Sequence, residues 1–287
     1  MSTLSKKIDF AVVINVKNAN PNGDPNNDNR PRVDYDGIGE ISDVCIKRKL
    51  RNRLMNEGVN IFVQSNDNKL DDCESLCERV EKECKTIMTD AKKLREASCK
   101  KWFDVRAFGN VFALKAKGKK DDDDDDSRKS IGVGIRGPVS ICSAYSIGKI
   151  DSKIIETQIT KSVNGENVKG KTGDDKSSDT MGMKYRVTNA KYVFFGSINP
   201  QLATKTGFSN EDADILKKIL PNMFLNDESS ARPAGSMSVE NVYWWEQEGT
   251  VGKYSPAKIQ KSLSIEDENN ISVLPLGELT PEIIEGY

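Results

Sequence analysis

Histidine is absent from the 287 residues. That excludes imidazole general-base catalysis, activation of serine or cysteine by histidine, and histidine ligation of a metal. The six cysteines, Cys45, Cys73, Cys77, Cys84, Cys99 and Cys142, contain no C-x2-C pair, so neither zinc nor any other cofactor is expected. No apolar run approaches about 18 residues, and Met1 to Lys7 lacks a signal-peptide core. The expectation is a soluble, cytoplasmic chain with reduced thiols and no membrane partner. Excess charge is also lacking, with 43 cations against 44 acids, a net charge of −1. Six of those acids, however, form the run Asp121–Asp126, and a segregated acidic tract hides a basic surface in the total. No fixed-period repeat and no Pro/Gly linker divides the chain, which points to one body.

The organising stretch lies near the amino end. Ile8, Phe10, Val12, Ile14 and Val16 alternate with Asp9, Ala11, Val13 and Asn15, predicting a strand with one strongly apolar face. A turn-rich loop follows, Asn18-Ala-Asn-Pro-Asn-Gly-Asp-Pro-Asn-Asn-Asp-Asn-Arg-Pro-Arg32. Then a helix is predicted over residues 43–57, with Ser42 or Asp43 as N-cap, Val44, Ile46, Leu50 and Leu54 as its apolar stripe, and Gly58 at its end. It carries Lys47, Arg48, Lys49, Arg51 and Arg53, with hardly an acid nearby until Glu57. Lys47, Arg48 and Arg51 fall off the apolar stripe. Loop amides and helix cations together suit a phosphate chain; the plainer alternative is a solvated basic face on a core helix.

Strand, loop and basic helix in this order open a ferredoxin-like or RRM-like βαβ unit. Residues 59–64 are a candidate neighbouring strand. A charged helix is predicted over 71–97, with Cys73, Cys77, Val80, Cys84, Ile87, Ala91 and Leu94 on one buried face. In residues 101–110, Trp102, Phe103, Val105 and Phe108 read as core and Arg106 as surface or paired, although arginine beside aromatics also suits base stacking. Residues 115–130 are too polar to offset the entropy of ordering them and are expected to be a mobile loop. From Ile131 to Ile147 apolar residues hold the odd positions except Gly137 and Ser143, the longest strand signal in the chain. Its glycines 132, 134 and 137 read either as close backbone approaches or as bulges, around Arg136.

Two apparent motifs fail on context. Gly165 to Thr172 matches the phosphate-loop pattern but lacks a following apolar helix and a downstream acidic strand. Asp24, Asn26 and Asp28 occupy calcium-loop positions, yet Asn29 and Tyr35 stand where glycine and glutamate are needed. Further on, residues 185–198 read as a strand, Ser209 opens a helix buried through Ile215, Leu216, Ile219 and Leu220, and residues 239–245 read as the last strand. The tail from Ser255 shows the weakest pattern.

Several ordered segments resemble one family. Asn20-Pro-Asn-Gly-Asp-Pro25, Asn29-Arg-Pro-Arg-Val-Asp34 and Ser42-Asp-Val-Cys-Ile-Lys-Arg-Lys-Leu-Arg-Asn52 are similar to the start of the Cas-seven family, nearest its type I-C branch. The resemblance continues through Trp102–Gly109, Gly134–Val139, Asp179–Met183 and Val193–Ile198. It implies a non-catalytic backbone subunit of a CRISPR Cascade complex that binds CRISPR guide RNA and polymerises along it with copies of itself. Other Cascade subunits, target DNA and a recruited helicase-nuclease are the further partners it implies.

The fold implied is α+β: an RRM-like palm over about 1–60, 131–150 and 186–250, helical fingers over about 61–130, and a thumb hairpin over about 151–185, in one hand-like domain. Lys47, Arg48 and Arg51 would carry phosphate charge, and Asn20, Asn22 and Gly23 would donate from the loop. Met181 is the candidate wedge between bases or else plain core, and Arg30, Arg32, Arg136 and Lys184 stand behind them. Some related subunits cut RNA with a palm-loop acid, but here Asp24 reads as a turn residue and Asp43 as a helix cap. The competing classes are a solitary RRM-like RNA binder and a nucleotide- or metal-dependent enzyme.

Overall fold

The computed structural model describes residues 2–88, 90–115, 130–161 and 180–287. The chain opens with β1 (Lys7–Ala19), the two-residue strands β2 (Gly23–Asp24) and β3 (Arg30–Pro31), β4 (Ile38–Ile41) and α1 (Asp43–Asn56). A second stretch holds α2 (Leu76–Cys84), α3 (Ala91–Lys101), α4 (Phe103–Phe108), β5 (Gly109–Lys115) and β6 (Ser130–Arg136). Then come β7 (Val139–Ile141), β8 (Ala144–Lys149), β9 (Ile154–Lys161) and the long β10 (Thr180–Ile198). The remainder is α5 (Pro200–Thr206), α6 (Asn210–Ile219), β11 (Met237–Gln247), α7 (Pro256–Ser262), β12 (Leu263–Ile265), β13 (Ile271–Val273) and β14 (Glu282–Glu285).

The fold is mixed α and β around one large antiparallel sheet, ordered β14-β11-β1-β10-β8-β4, with β7 and β9 also paired to β10. Residues Ile8, Phe10, Val12, Ile14 and Val16 of β1 face the main core, where Ile46, Leu50 and Leu54 of α1 and Ala213, Leu216 and Ile219 of α6 cover them. Burying side chains of this size contributes about 1.5–3 kcal/mol each, so β1 is the natural centre of the sheet. Gly196 of β10 lies against Phe10 so closely that an added Cβ would meet the ring at 2.1 Å. Only a residue without a side chain lets those two strands pair at this register.

The other face of β1 is buried as well, which corrects the expectation of a single apolar face. Ala11 and Val13 join Val193, Tyr243, Trp245, Ile259, Leu263 and Leu276 in a separate core. The tail closes this side through α7 and the β12–β13 hairpin, while β14 extends the sheet beyond β11. Thus β11 is not the last strand. Asp9 is sealed between the layers but not left alone, since Lys7 Nζ reaches it at 2.9 Å and Gln247 Nε2 at 3.0 Å.

A third core assembles Phe62, Val80, Cys84, Leu94, Cys99, Trp102, Val105, Phe112, Val133 and Ile135. The helix predicted over 71–97 is two helices: Ser75 caps α2, and Asp90 caps α3 through the Lys92 and Lys93 N–H groups. Cys73 therefore precedes the helix and Cys77 is exposed, while Cys84 and Cys99 are buried. Burial pushes the Cys99 thiol up to about 11, well away from thiolate chemistry. No strand forms over 59–64; that segment is a loop held by Asp104. Trp102, Phe103 and Val105 are core, and Arg106 forks onto Asp212 at 2.6 and 2.9 Å, so none of them serves base stacking.

The strand signal over 131–147 breaks into β6, β7 and β8 at Gly137-Pro138 and Cys142-Ser143. Moreover, β6 pairs with β5 in a hairpin of its own, whereas β7 and β8 pair with β10. Gly137 is a close approach, because a Cβ there would lie 2.2 Å from the Ala107 carbonyl oxygen; Gly132 and Gly134 face open space. Among the described residues no helix is long and apolar enough to cross a membrane.

Candidate nucleic-acid interface

The basic helix forms for local reasons. Ser42 Oγ accepts the Cys45 N–H at 3.3 Å, making Ser42 the N-cap and Asp43 a first-turn acid rather than the cap. At the other end Gly58 takes φ of 77°, and the Gly58 and Val59 N–H groups close onto the Met55 and Leu54 carbonyls at 2.9 and 3.0 Å. That pairing is a Schellman stop, which favours glycine at the left-handed position. Ile46, Leu50 and Leu54 form the buried stripe, but Val44 is 69% exposed and does not belong to it.

The five cations divide. Lys49 and Arg53 are buried fastenings: Lys49 holds Asp227 at 2.6 Å, and Arg53 holds Glu57 at 2.6 Å and Asn222 at 2.9 Å. Arg51 Nε donates to the buried Asp104 at 2.9 Å, with its guanidinium over the Phe108 ring. Lys47 pairs with Asp43 at 2.8 Å at the half-exposed edge of the helix. The expectation that few acids offset these charges is corrected, for Asp104 and Asp227 arrive from distant parts of the chain.

Arg48 differs from its neighbours. Among the described residues it has no ion pair, and its Nη1 is buried without an acceptor. Burial, followed by the charge of Arg51, holds its guanidinium below the ordinary arginine value, with Asp67 and Asp104 opposing. A cation in that setting has unmet demand for an anion.

The loop is seated on the helix start. Asn22 Oδ1 accepts both the N–H and the Oγ–H of Ser42 at 2.9 Å, and its own carbonyl accepts the Arg32 N–H at 3.0 Å. Asp28 and Asn29 hold φ of 47° and 58°, a region Asn and Asp tolerate better than most residues. Asn20 Nδ2 donates to the Asn29 carbonyl at 2.6 Å, and Gly23 lies so close that a Cβ would be 2.9 Å from the same oxygen. Asp24 caps its own turn by accepting the Asn26 N–H at 3.1 Å. Asn20 and Gly23 are therefore chiefly framework, in contrast to donors presented outward.

Two further cations meet the loop. Arg30 lies over the Tyr185 ring at 5.5 Å, and Lys184 donates to Ser230 Oγ at 3.3 Å, both beside the base of β10. Arg32 sits 3.8 Å from Asp24 with its Nε buried and unpartnered. Arg136 is exposed at the end of the β5–β6 hairpin, outside the main sheet. The Met181 side chain, the Asp121–Asp126 run and the Gly165–Thr172 motif lie outside the described residues. No cluster of three metal-ligating side chains occurs among the described residues. Tyr185, Ser230 and Asp104 carry no sequence signal as parts of this region; only Asp104 lies inside one of the family-like segments.

Lys47, Arg48, Arg51, Arg30 and Lys184 thus lie along one helix, its seated loop and the adjoining strand, with Arg48 unsatisfied, which can hold a polyanion without reading its bases. The family model described as CRISPR-associated protein Cas7 matches residues 6–276. The chain belongs to the Cas7 family. A relative described as CRISPR-associated protein Cas7, from Haloferax volcanii, is 26% identical over 293 aligned positions, covering 99% of this chain and 82% of that one.

Solved structures are similar at low scores. A chain of a CRISPR RNA-guided surveillance complex in a pre-nicking state aligns with a TM-score of 0.44 at 11% identity, over 83% of this chain and 78% of that one. A chain of a type III-B Cmr-beta complex bound to cognate target RNA aligns at 0.41 and 9% identity, over 83% and 61%. Both scores are too low for the likeness to bear on function. All the candidate residues, from Asn20 to Lys184, fall within the Cas7 match.

Proposed function

We propose that this Cas7 chain is a non-catalytic backbone subunit of a type I-C Cascade complex, binding CRISPR guide RNA and repeating along it as a filament. The observation that carries the reading is Arg48, a cation with a buried, unpartnered nitrogen on a helix whose start is locked to an Asn-rich loop. A guide must be held whatever its sequence, so contacts belong on phosphate and sugar while base edges stay free for target DNA. Family membership supports the guide as the polyanion, and a recruited helicase-nuclease would then act on the target.

The RRM-like palm is supported by strand order. The central strands run β11-β1-β10-β8, with α1 and α6 together in the core on one face, as a βαββαβ unit requires. The core of Phe62, Trp102 and Phe112 is assigned to the fingers, and the β9–β10 ladder from Ile154↔Val187 to Lys161↔Thr180 to the thumb. Met181, in that ladder, remains the candidate wedge.

The test is co-purification from cells containing a CRISPR array, where mature guide RNA is expected in a high-mass, cytoplasmic assembly. A monomer on long RNA with a one-module footprint would instead support a solitary RRM-like binder. A chain free of guide RNA would overturn the proposal.

A further inference from the structure

Six residues, Phe103–Phe108, join two cores. Phe103 and Ala107 of α4 belong to the main core, while Trp102, just before it, and Val105 belong to the Phe62 core. Between them Asp104 is 1% exposed and accepts three donors: the Phe62 N–H on Oδ1 at 2.7 Å, and the Val63 N–H and Arg51 Nε on Oδ2 at 3.0 and 2.9 Å. A carboxylate so deeply placed is retained only when its acceptor capacity is nearly filled.

Its grip on Arg51 is one-sided. Asp104 takes Nε alone, and among the described residues no acceptor meets the Arg51 Nη nitrogens. Arg48 stands one turn away, close enough that the two charges repel, with its own Nη1 unpartnered. Two guanidinium groups one turn apart on α1, with terminal nitrogens that meet no acceptor among the described residues, match the several oxygens of a phosphodiester.

We infer that Asp104 is a positioning residue for the nucleic-acid contact: it fixes Arg51 through Nε so that Arg51 and Arg48 together receive one backbone phosphate. The inference rests on the RNA-binding reading and adds that the Phe62 core sets the geometry of the contact without touching the ligand. Asp104 also ties the loop at Phe62 and Val63 to α1, so both elements keep one spacing.

The test is a double-mutant cycle on the full chain, with affinity for a single-stranded RNA of mixed sequence as readout. Asp104→Asn alone should weaken binding about tenfold, and in an Arg51→Ala background it should weaken binding no further. An equal loss in both backgrounds would show that Asp104 acts otherwise and overturn the inference. If Asp104→Asn does not fold, Arg51→Lys serves, because an ammonium gathers its donors at one point and cannot reproduce the division of Nε to Asp104 and Nη to phosphate. A loss of several-fold is expected from that variant, and unchanged affinity would overturn the inference while leaving RNA binding intact. Failure of the wild-type chain to bind RNA overturns the function and the inference alike.

Discussion

Asn22 and Ser42 share a single oxygen: the Asn22 Oδ1 accepts the Ser42 backbone N–H and the Ser42 hydroxyl, both at 2.9 Å. The same hydroxyl oxygen caps α1, so loop shape and helix start are one construction. Asn22→Ala removes both bonds and leaves a backbone donor without its partner. It should cost about 1–2 kcal/mol of stability, measured by urea unfolding, together with a loss of RNA affinity.

Arg48→Glu tests the phosphate contact with the least damage to the fold, since Arg48 has no ion pair to break among the described residues. It should weaken RNA binding about equally across sequences and lower the salt slope of affinity by at least about one, read by fluorescence anisotropy over a salt series. An unchanged slope would exclude Arg48 from the interface. Arg51→Glu, by contrast, would set a second carboxylate against buried Asp104 and cost about 3–5 kcal/mol of stability, so loss of binding in that variant reports unfolding as well.

Acid should loosen the Phe62 core. Arg79 forks onto Asp71 at 2.6 and 2.7 Å and lowers the Asp71 carboxyl to about 2 from 3.8. A folded value below the unfolded one means the contribution is whole above about pH 5 and is lost as pH falls from about 4 towards 2. Asp71→Asn should therefore flatten the acid limb of the stability curve between those values, followed by thermal melting.

Gly196→Ala should be among the harshest small changes in the protein. The added methyl meets the Phe10 ring at 2.1 Å, and Phe10 is itself stacked on Trp244 with centroids 5.6 Å apart. Overpacking of this kind costs about 1–3 kcal/mol or more, visible as a lowered midpoint in urea.

Local signals are legible in the sequence. The Ser42 cap, the Gly58 stop and the helix opened by Ser209 each depend on residues within a few positions of one another, and each stands in the structure, as does β1 as a strand. Alternation over 131–147 is equally local, but it cannot tell which partner a strand takes, and Pro138 lets the chain leave the β5 hairpin for the main sheet. Sequence misjudges the cations of α1 because Asp104 and Asp227 stand 53 and 178 positions away from Arg51 and Lys49. Half the buried face of β1 escapes a reading of alternation because the weakly patterned tail covers it.

That cover has a consequence for traffic around the molecule. Trp245 and Val13 lie beneath Ile259 and Leu263, so the broad side on which a bare four-stranded sheet would stack bases is already occupied by the chain's own apolar residues. On the proposed reading, a strand of nucleotides is left the rim, where the helix start, its seated loop and the foot of β10 meet, and its route would follow that border.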